Sequence, residues 1–200
     1  MNKNFLLLFA FFIFAAFSCN KEVKPVERET AVIETDFGNI TIDFFENVAP
    51  NHVTTLKKMI AEKFYDGLYF HRVVPYFVIQ GGDPNSKDND KSNDGMGSDE
   101  QPVINAEFSK IPHKRGILSM ARKGNDINSA TSQFFICVAD APSLDNQYTV
   151  FGKVIEGMDV VDKIVNVDRD NRDNPVKPVY MKRVYMTKKL VLPSVENEIK

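Results

Sequence analysis

The residues best suited to chemistry in this sequence lie in one stretch, Tyr69–Asp83. This stretch carries His71, Arg72 and Gln80, and an aromatic residue, Phe77, lies between the last two. An arginine guanidinium is always charged, is planar and presents several N–H donors. It can therefore donate a hydrogen bond to the lone pair of an acceptor atom without transferring a proton. Taken alone, Arg72 fits better as a surface residue on a strand, in an ion pair that contributes little to stability.

Metal and nucleophilic chemistry have weaker support. The three histidines are scattered and make no HExxH pattern, so we expect no metal site and no cofactor. Asp90, Ser92 and Asp94 have the spacing that opens a calcium loop, but Gln101 stands where the last ligand, a glutamate, is required. We therefore expect a solvated loop over residues 83–102. Cys137 lies in an apolar run of strand length and is expected to be buried and inert.

Composition places the chain among ordinary globular proteins. It has 200 residues, of which 43% are hydrophobic and 26% charged, too apolar for a disordered chain. Lys and Arg number 25 against 27 Asp and Glu, a net charge of -2 that argues against a nucleic-acid partner. Two cysteines are too few for a disulfide framework or a thiolate zinc site.

The N-terminus has the pattern of a secretory signal. An unbroken apolar run, Phe5–Phe17, follows one lysine and is shorter than the roughly 20 residues that span a bilayer. The run leads into Ser18 and Cys19, which resembles the lipobox of bacterial lipoproteins, so we expect lipid on Cys19; an ordinary signal peptide cut elsewhere is the alternative. We predict a signal peptide over 1–18, an anchored tether over 19–28, one domain over 29–190 and a tail over 191–200.

Short apolar segments dominate the predicted domain. Asp36-Phe37-Gly38 reads as the turn of a hairpin, and Pro50 suits the first turn of a helix. Many strands with few helices indicate a closed or sandwiched β architecture. We predict helices over 50–63 and 158–165, and strands over 31–35, 39–44, 68–74, 77–80, 116–121, 132–138, 148–155 and 179–190.

Five motifs, in this order, resemble those of the cyclophilins. They are residues 69–83 (YFHRVVPYFVIQGGD), 116–122 (GILSMAR), 132–136 (SQFFI), 144–145 (LD) and 150–154 (VFGKV). The resemblance covers nearly the whole predicted domain. It implies a mainly β fold, a closed eight-stranded antiparallel β-barrel capped by two α-helices, and peptidyl-prolyl cis-trans isomerase activity.

The resemblance also implies the roles of individual residues. Arg72 matches the catalytic arginine, Gln80 the glutamine that positions it and contacts the substrate backbone, and Gln133 a second glutamine that binds the backbone. The residues that match the apolar socket for the proline ring and the groove beside it are Phe77, Val78, Ala121, Phe135, Leu144 and Tyr148. Neighbours along a strand point to opposite faces, so we expect Phe134 in the core and His71 in a structural role.

These matches predict an enzyme that accelerates X-Pro rotation in exported proteins and so assists their folding. A non-catalytic module or holdase that binds proline peptides in the same groove is the alternative. We expect proline-containing polypeptides as partners, a membrane contact through the N-terminal lipid only, no nucleic acid, and a monomer. The expected location is the bacterial cell envelope, on the periplasmic or outer-membrane face. Ser143 stands where many eukaryotic cyclophilins carry a tryptophan that contacts cyclosporin, so we expect weak cyclosporin binding.

Overall fold

A computed structural model describes residues 24–88 and 90–192. The predicted signal peptide and Cys19 lie outside the described residues, as do half of the predicted tether and most of the predicted tail. The described chain forms eight strands and two α-helices. They are β1 (Val26–Thr35), β2 (Gly38–Phe44), α1 (Pro50–Ala61), β3 (Arg72–Val74), β4 (Val78–Gly81), β5 (Ile117–Met120), β6 (Phe134–Cys137), β7 (Val150–Glu156), α2 (Met158–Val165) and β8 (Arg183–Val191).

Each predicted segment overlaps one of these elements, but β3 begins at Arg72 instead of residue 68, and β8 begins at Arg183 instead of residue 179. The hairpin turn at Asp36 and Phe37 is confirmed, because β1 and β2 pair from Thr35 opposite Gly38. Helix α2 has the predicted bounds, and α1 ends two residues earlier than predicted. The strand β1 begins at Val26, inside the segment predicted as a tether.

The expectation of a closed barrel is wrong. The strands form one antiparallel sheet in the order β3-β4-β6-β5-β7-β2-β1-β8, and the two edge strands, β3 and β8, do not pair. Backbone hydrogen bonds tether residues 67–70 to residues 179–181, but the only bridge between those described segments is the isolated pair Tyr69 and Tyr180.

Local backbone chemistry accounts for the open edge. The N–H of Val73 on the edge strand β3 donates to the carbonyl of Asp173, so a loop takes up a donor that a longer closing ladder would use. Pro178 has no N–H to offer. The pattern of apolar runs in the sequence predicts the strands, but it does not predict which acceptors bind the backbone N–H groups at the sheet edge.

The main core lies between one face of the sheet and the two helices. Helix α1 begins with Pro50 and buries Val53, Leu56 and Ile60 against it, at the spacing of one helix face. On α2 the buried residues are Val160, Val161, Ile164 and Val165. A second, smaller apolar cluster lies around Phe135 on β6, apart from the main core. No helix among the described residues is long and apolar enough to cross a bilayer.

Candidate active site

Strand register brings four residues from four adjacent strands into one row. Arg72 on β3 lies opposite Gln80 on β4, Gln80 lies opposite Phe135 on β6, and Phe135 lies opposite Ser119 on β5. Because side chains alternate along a strand, the neighbouring row points to the other face of the sheet. That row belongs to the main core, and its members, all fully buried, are Val73, Ile79, Ile136 and Leu118.

A chain of hydrogen bonds fixes the orientation of Arg72. The guanidinium Nη1 donates to Gln80 Oε1 at 3.4 Å, Gln80 Nε2 donates to Gln133 Oε1 at 3.0 Å, and Gln133 Nε2 donates to the backbone carbonyl of Gly95 at 3.2 Å. A carbonyl oxygen only accepts, so Gly95 sets the direction of both amides. The Gln80 oxygen is thereby turned towards the guanidinium.

An apolar hollow of about 200 Å³ adjoins the guanidinium. We call this hollow the cup. The Arg72 guanidinium carbon lies 5.9 Å from the centroid of the Phe77 ring, and the Phe135 and Tyr148 rings meet edge to face at 5.4 Å. Seven of the eight residues predicted to bind substrate line it with Arg72: Phe77, Val78, Gln80, Ala121, Phe135, Leu144 and Tyr148. The eighth, Gln133, contacts Gln80 instead.

The expectation that neighbouring side chains point apart is confirmed for Phe134 and Phe135, whereas a structural role for His71 stays a prediction. Phe134 packs in the main core, whereas Phe135 belongs to the smaller cluster under the cup. His71 is buried and Arg72 is partly exposed. Cys137 is buried in the same small cluster, and burial raises the pKa of its thiol to about 12, which keeps it protonated at neutral pH.

One residue at the rim of the cup had no predicted role. Arg122 lines the cup, and its guanidinium lies 4.8 Å from the centroid of the Tyr148 ring. It also donates to the backbone carbonyls of Gln147 and Gly124. Its position directly after Ala121 in the GILSMAR motif is the signal that the sequence offered.

Phe135, which lines the cup, packs on a buried histidine, His113. From the sequence, His113 was expected only to lie in a loop. The His113 ring stacks on Phe135 with centroids 6.1 Å apart, and its two nitrogens lie 2.9 Å from Asp145 Oδ1 and 2.9 Å from Ser119 Oγ. The hydrogen bonds run from Ser119 to His113 to Asp145, which is the arrangement of a nucleophilic triad. The Ser119 hydroxyl is fully buried beneath Phe135, however, so it supports that ring and does not reach a substrate.

The polar loop before β5 is ordered by its own carboxylates. Asp94 accepts hydrogen bonds from the hydroxyl of Tyr69 and from Asn174, and Asp83 accepts one from the backbone N–H of Gly95. Asp90 accepts one from the N–H of Ser92. Within residues 24–88 and 90–192, no group of three His, Cys, Asp or Glu side chains could hold a metal ion.

Comparisons with known proteins agree with this geometry. The family described as cyclophilin type peptidyl-prolyl cis-trans isomerase matches residues 30–186. A probable peptidyl-prolyl cis-trans isomerase of Brucella abortus is 45% identical over 141 residues, which are 68% of this chain and 71% of that protein. A peptidyl-prolyl cis-trans isomerase of Acinetobacter baylyi is 44% identical over 140 residues, again 68% and 71% of the two chains.

A solved structure gives the same result for the fold. The cyclophilin type isomerase of Cryptosporidium parvum, crystallised in the presence of the dipeptide Ala-Pro, superposes with a TM-score of 0.71. It is 28% identical and covers 79% of this chain and 98% of its own.

Burial lowers the pKa of all three histidines, His52, His71 and His113, below the ordinary value. The carboxylates beside them, Glu107 and Asp145, oppose this effect without overcoming it. A histidine with a lowered pKa in the folded state takes up a proton more readily when the chain unfolds. Its contribution to stability is therefore complete above its unfolded pKa of about 6.5 and is lost as the pH falls.

We expect the free energy of unfolding to fall when the pH drops from about 7.5 to about 5.5, and His71, whose pKa burial lowers to about 4, should contribute roughly 1 kcal/mol of that fall. Urea titrations at several pH values measure this slope. His71→Asn is the matched variant, because neither ring nitrogen of His71 has a hydrogen-bond partner among the described residues. It should remove the contribution of His71 and so reduce the slope, leaving the contributions of His52 and His113. A free energy that stays constant or rises on acidification would contradict the burial argument.

Proposed function

This chain belongs to the cyclophilin-type peptidyl-prolyl cis-trans isomerases, and from that premise we propose that rotation of X-Pro bonds takes place in the cup beside Arg72. The observation that carries the proposal is the position of one oriented guanidinium at the edge of an apolar hollow. An apolar hollow suits the proline ring, and it can hold the ring while the preceding residue turns.

The chemistry needs only a well-placed donor. Rotation about a peptide C–N bond faces a barrier of about 18–20 kcal/mol, because the resonance of the amide must be broken. In the twisted state the proline nitrogen regains its lone pair, and a hydrogen bond to that nitrogen exists only there. Such a bond stabilises the transition state and not the planar ground states, which is the requirement for catalysis.

Arg72 meets this requirement through its surroundings. Gln80 is a neutral amide, so it holds the guanidinium without neutralising its charge. The ring of Phe77 covers one side of the guanidinium and limits its solvation. The remaining N–H groups of Arg72 are free to donate towards a proline nitrogen in the cup, and no proton has to leave the protein.

Replacing Arg72 with alanine should lower kcat/KM by about 100-fold or more, the effect of removing one oriented donor from an active site. A peptide assay limited by X-Pro isomerisation measures the rate, with Arg183→Ala, a change at an exposed residue on β8, as the control. Equal rates for the parent and Arg72→Ala, together with retained peptide binding, would overturn catalysis by Arg72 and favour the non-catalytic binding module.

We propose that cyclosporin binds weakly. Ser143 is exposed directly before Leu144, which lines the cup, so a small hydroxyl stands where an indole would add apolar contact. Titration of the isomerase activity should show weak inhibition, and Ser143→Trp should tighten it by about tenfold. Ser143→Ala is the control for loss of the hydroxyl. Tight inhibition of the parent protein would contradict this proposal.

We further propose that the domain is a monomer, anchored in the bacterial envelope through lipid on Cys19, and that its clients are exported proteins. The apolar run before Cys19 supports the export and the lipid anchor, and only residues 20–25 lie between that anchor and β1 at Val26.

Mass spectrometry of the protein from a bacterial membrane fraction should find Cys19 as the lipid-modified N-terminal residue. Cys19→Ala should move the protein to the aqueous fraction, and Cys137→Ala should not. An unmodified Cys19, or a protein cleaved elsewhere, would favour the ordinary signal peptide.

A further inference from the structure

A second hollow adjoins Arg72. It has a volume of about 320 Å³ and shares only Arg72 and Gln80 with the cup. Residues from two loops, 91–96 and 172–174, complete its walls. The motif of residues 69–83 supplies His71, Arg72 and Gln80, whereas the remaining lining residues lie in the polar loop before β5 and in the segment before β8, which belong to no motif.

The hollow contains a buried side chain without a partner. His71 is 4% exposed, and neither of its ring nitrogens makes a hydrogen bond to any residue within 24–88 and 90–192. Buried polar groups are nearly always paired, so an unpaired imidazole in the wall of a hollow indicates a ligand. Burial lowers the pKa of His71, so at neutral pH the ring offers one N–H donor and one acceptor nitrogen.

The charge of the hollow points to the chemistry of that ligand. Three cations, Arg72, Lys91 and Arg172, line it against one carboxylate, Asp94. Asp94 already accepts hydrogen bonds from Tyr69 and Asn174. The local excess of positive charge contrasts with the net charge of -2 for the whole chain.

The two loop cations are held in place. Lys91 Nζ donates to the backbone carbonyls of Pro175 and Val176, at 2.6 and 3.1 Å, and Arg172 Nη2 donates to the carbonyl of Lys91 at 3.0 Å. Their hydrogen-bond partners are neutral carbonyls, while the carboxylate of Asp170 attracts both cations and that of Asp90 attracts Arg172 without a hydrogen bond to either side chain. Gly95 lies beside the imidazole, since a Cβ at this position would be 3.6 Å from His71 Nε2. As a glycine it adds no side chain there.

We propose that this hollow is a subsite for the carboxylate of an acidic residue, Asp or Glu, of the client polypeptide close to the X-Pro bond. The inference rests on the proposed function, because the cup must hold the proline. An extended chain advances about 3.3–3.6 Å per residue, so a hollow that shares Arg72 with the cup is reached within one or two residues of the proline. His71 donates its N–H to the carboxylate, and the three cations supply the field.

A series of short Ala-Pro peptides tests the subsite. Each pair of peptides differs only in having Glu or Gln at one position, up to two residues before or after the X-Pro bond. The value of kcat/KM is measured for both members of each pair. At one position we expect the Glu peptide to exceed its Gln partner by about threefold or more in low salt, a ratio that falls towards one as added salt screens the cations. The salt series uses the unmodified protein and so does not depend on the folding of a variant.

A charge-matched pair of variants locates the effect. Lys91→Gln combined with Arg172→Gln should bring the ratio of Glu to Gln peptide close to one. Lys58→Gln combined with Lys163→Gln removes the same charge from the exposed faces of α1 and α2 and should keep the parent ratio. If the control pair lowers the ratio equally, the preference comes from overall charge and the subsite is wrong.

The failure of the subsite and that of the proposed function give different results. If the Gln peptides are isomerised and Glu gives no advantage at any position, the subsite is wrong and the isomerase activity stands. If no peptide is isomerised, the proposed function fails. NMR titration with the same peptides then decides the subsite, since equal affinities for Glu and Gln peptides would overturn it.

Discussion

The site depends on the register of four strands at one end of the sheet. The pairing of β3, β4, β6 and β5 places a fully buried row in the core, and the adjacent row then carries Arg72, Gln80 and Phe135 on the opposite face. A shift of one residue would send the core row to solvent and the guanidinium into the core, so burial and function select the same register. The apolar packing that stabilises the fold is thus also what aims the donor.

The strand register sets the position of Arg72, and hydrogen bonds then set the orientation of its guanidinium. The amides of Gln80 and Gln133 link Arg72 to the carbonyl of Gly95, so the polar loop before β5 contributes to the orientation of the guanidinium. The loop in turn is held by Asp94 and Asp83. Beneath the cup, the His113 ring stacks on Phe135. In our account the cup selects proline and the neighbouring cationic hollow selects its sequence context.

Much of this could be predicted from the sequence, because the signals are local. The spacing of Val53, Leu56 and Ile60 predicts α1, and alternation places Phe134 and Phe135 on opposite faces, as the structure confirms. Arg72 stood out only through its motif, since an arginine on a strand is otherwise unremarkable. Seven matched residues then meet around one cup with it.

What the sequence did not predict depends on contacts between distant segments. Barrel closure was wrong because Asp173 takes up the N–H of Val73 at the edge strand, and no periodicity in the sequence predicts that contact. The support from His113 requires Asp145 and Ser119, which lie 32 and 6 residues away along the chain. The polar loop gave no sign that the carbonyl of Gly95 would end the chain of amides from Arg72.

The central claim is that the guanidinium of Arg72 acts because Gln80 holds it at the cup. Exchange NMR on a saturated complex with an Ala-Pro peptide measures the rate of cis-trans interconversion on the protein, separately from binding. In Gln80→Leu, which keeps Arg72 but removes the amide that orients it, the account predicts a rate lower by about tenfold or more. A rate equal to that of the parent protein would contradict it.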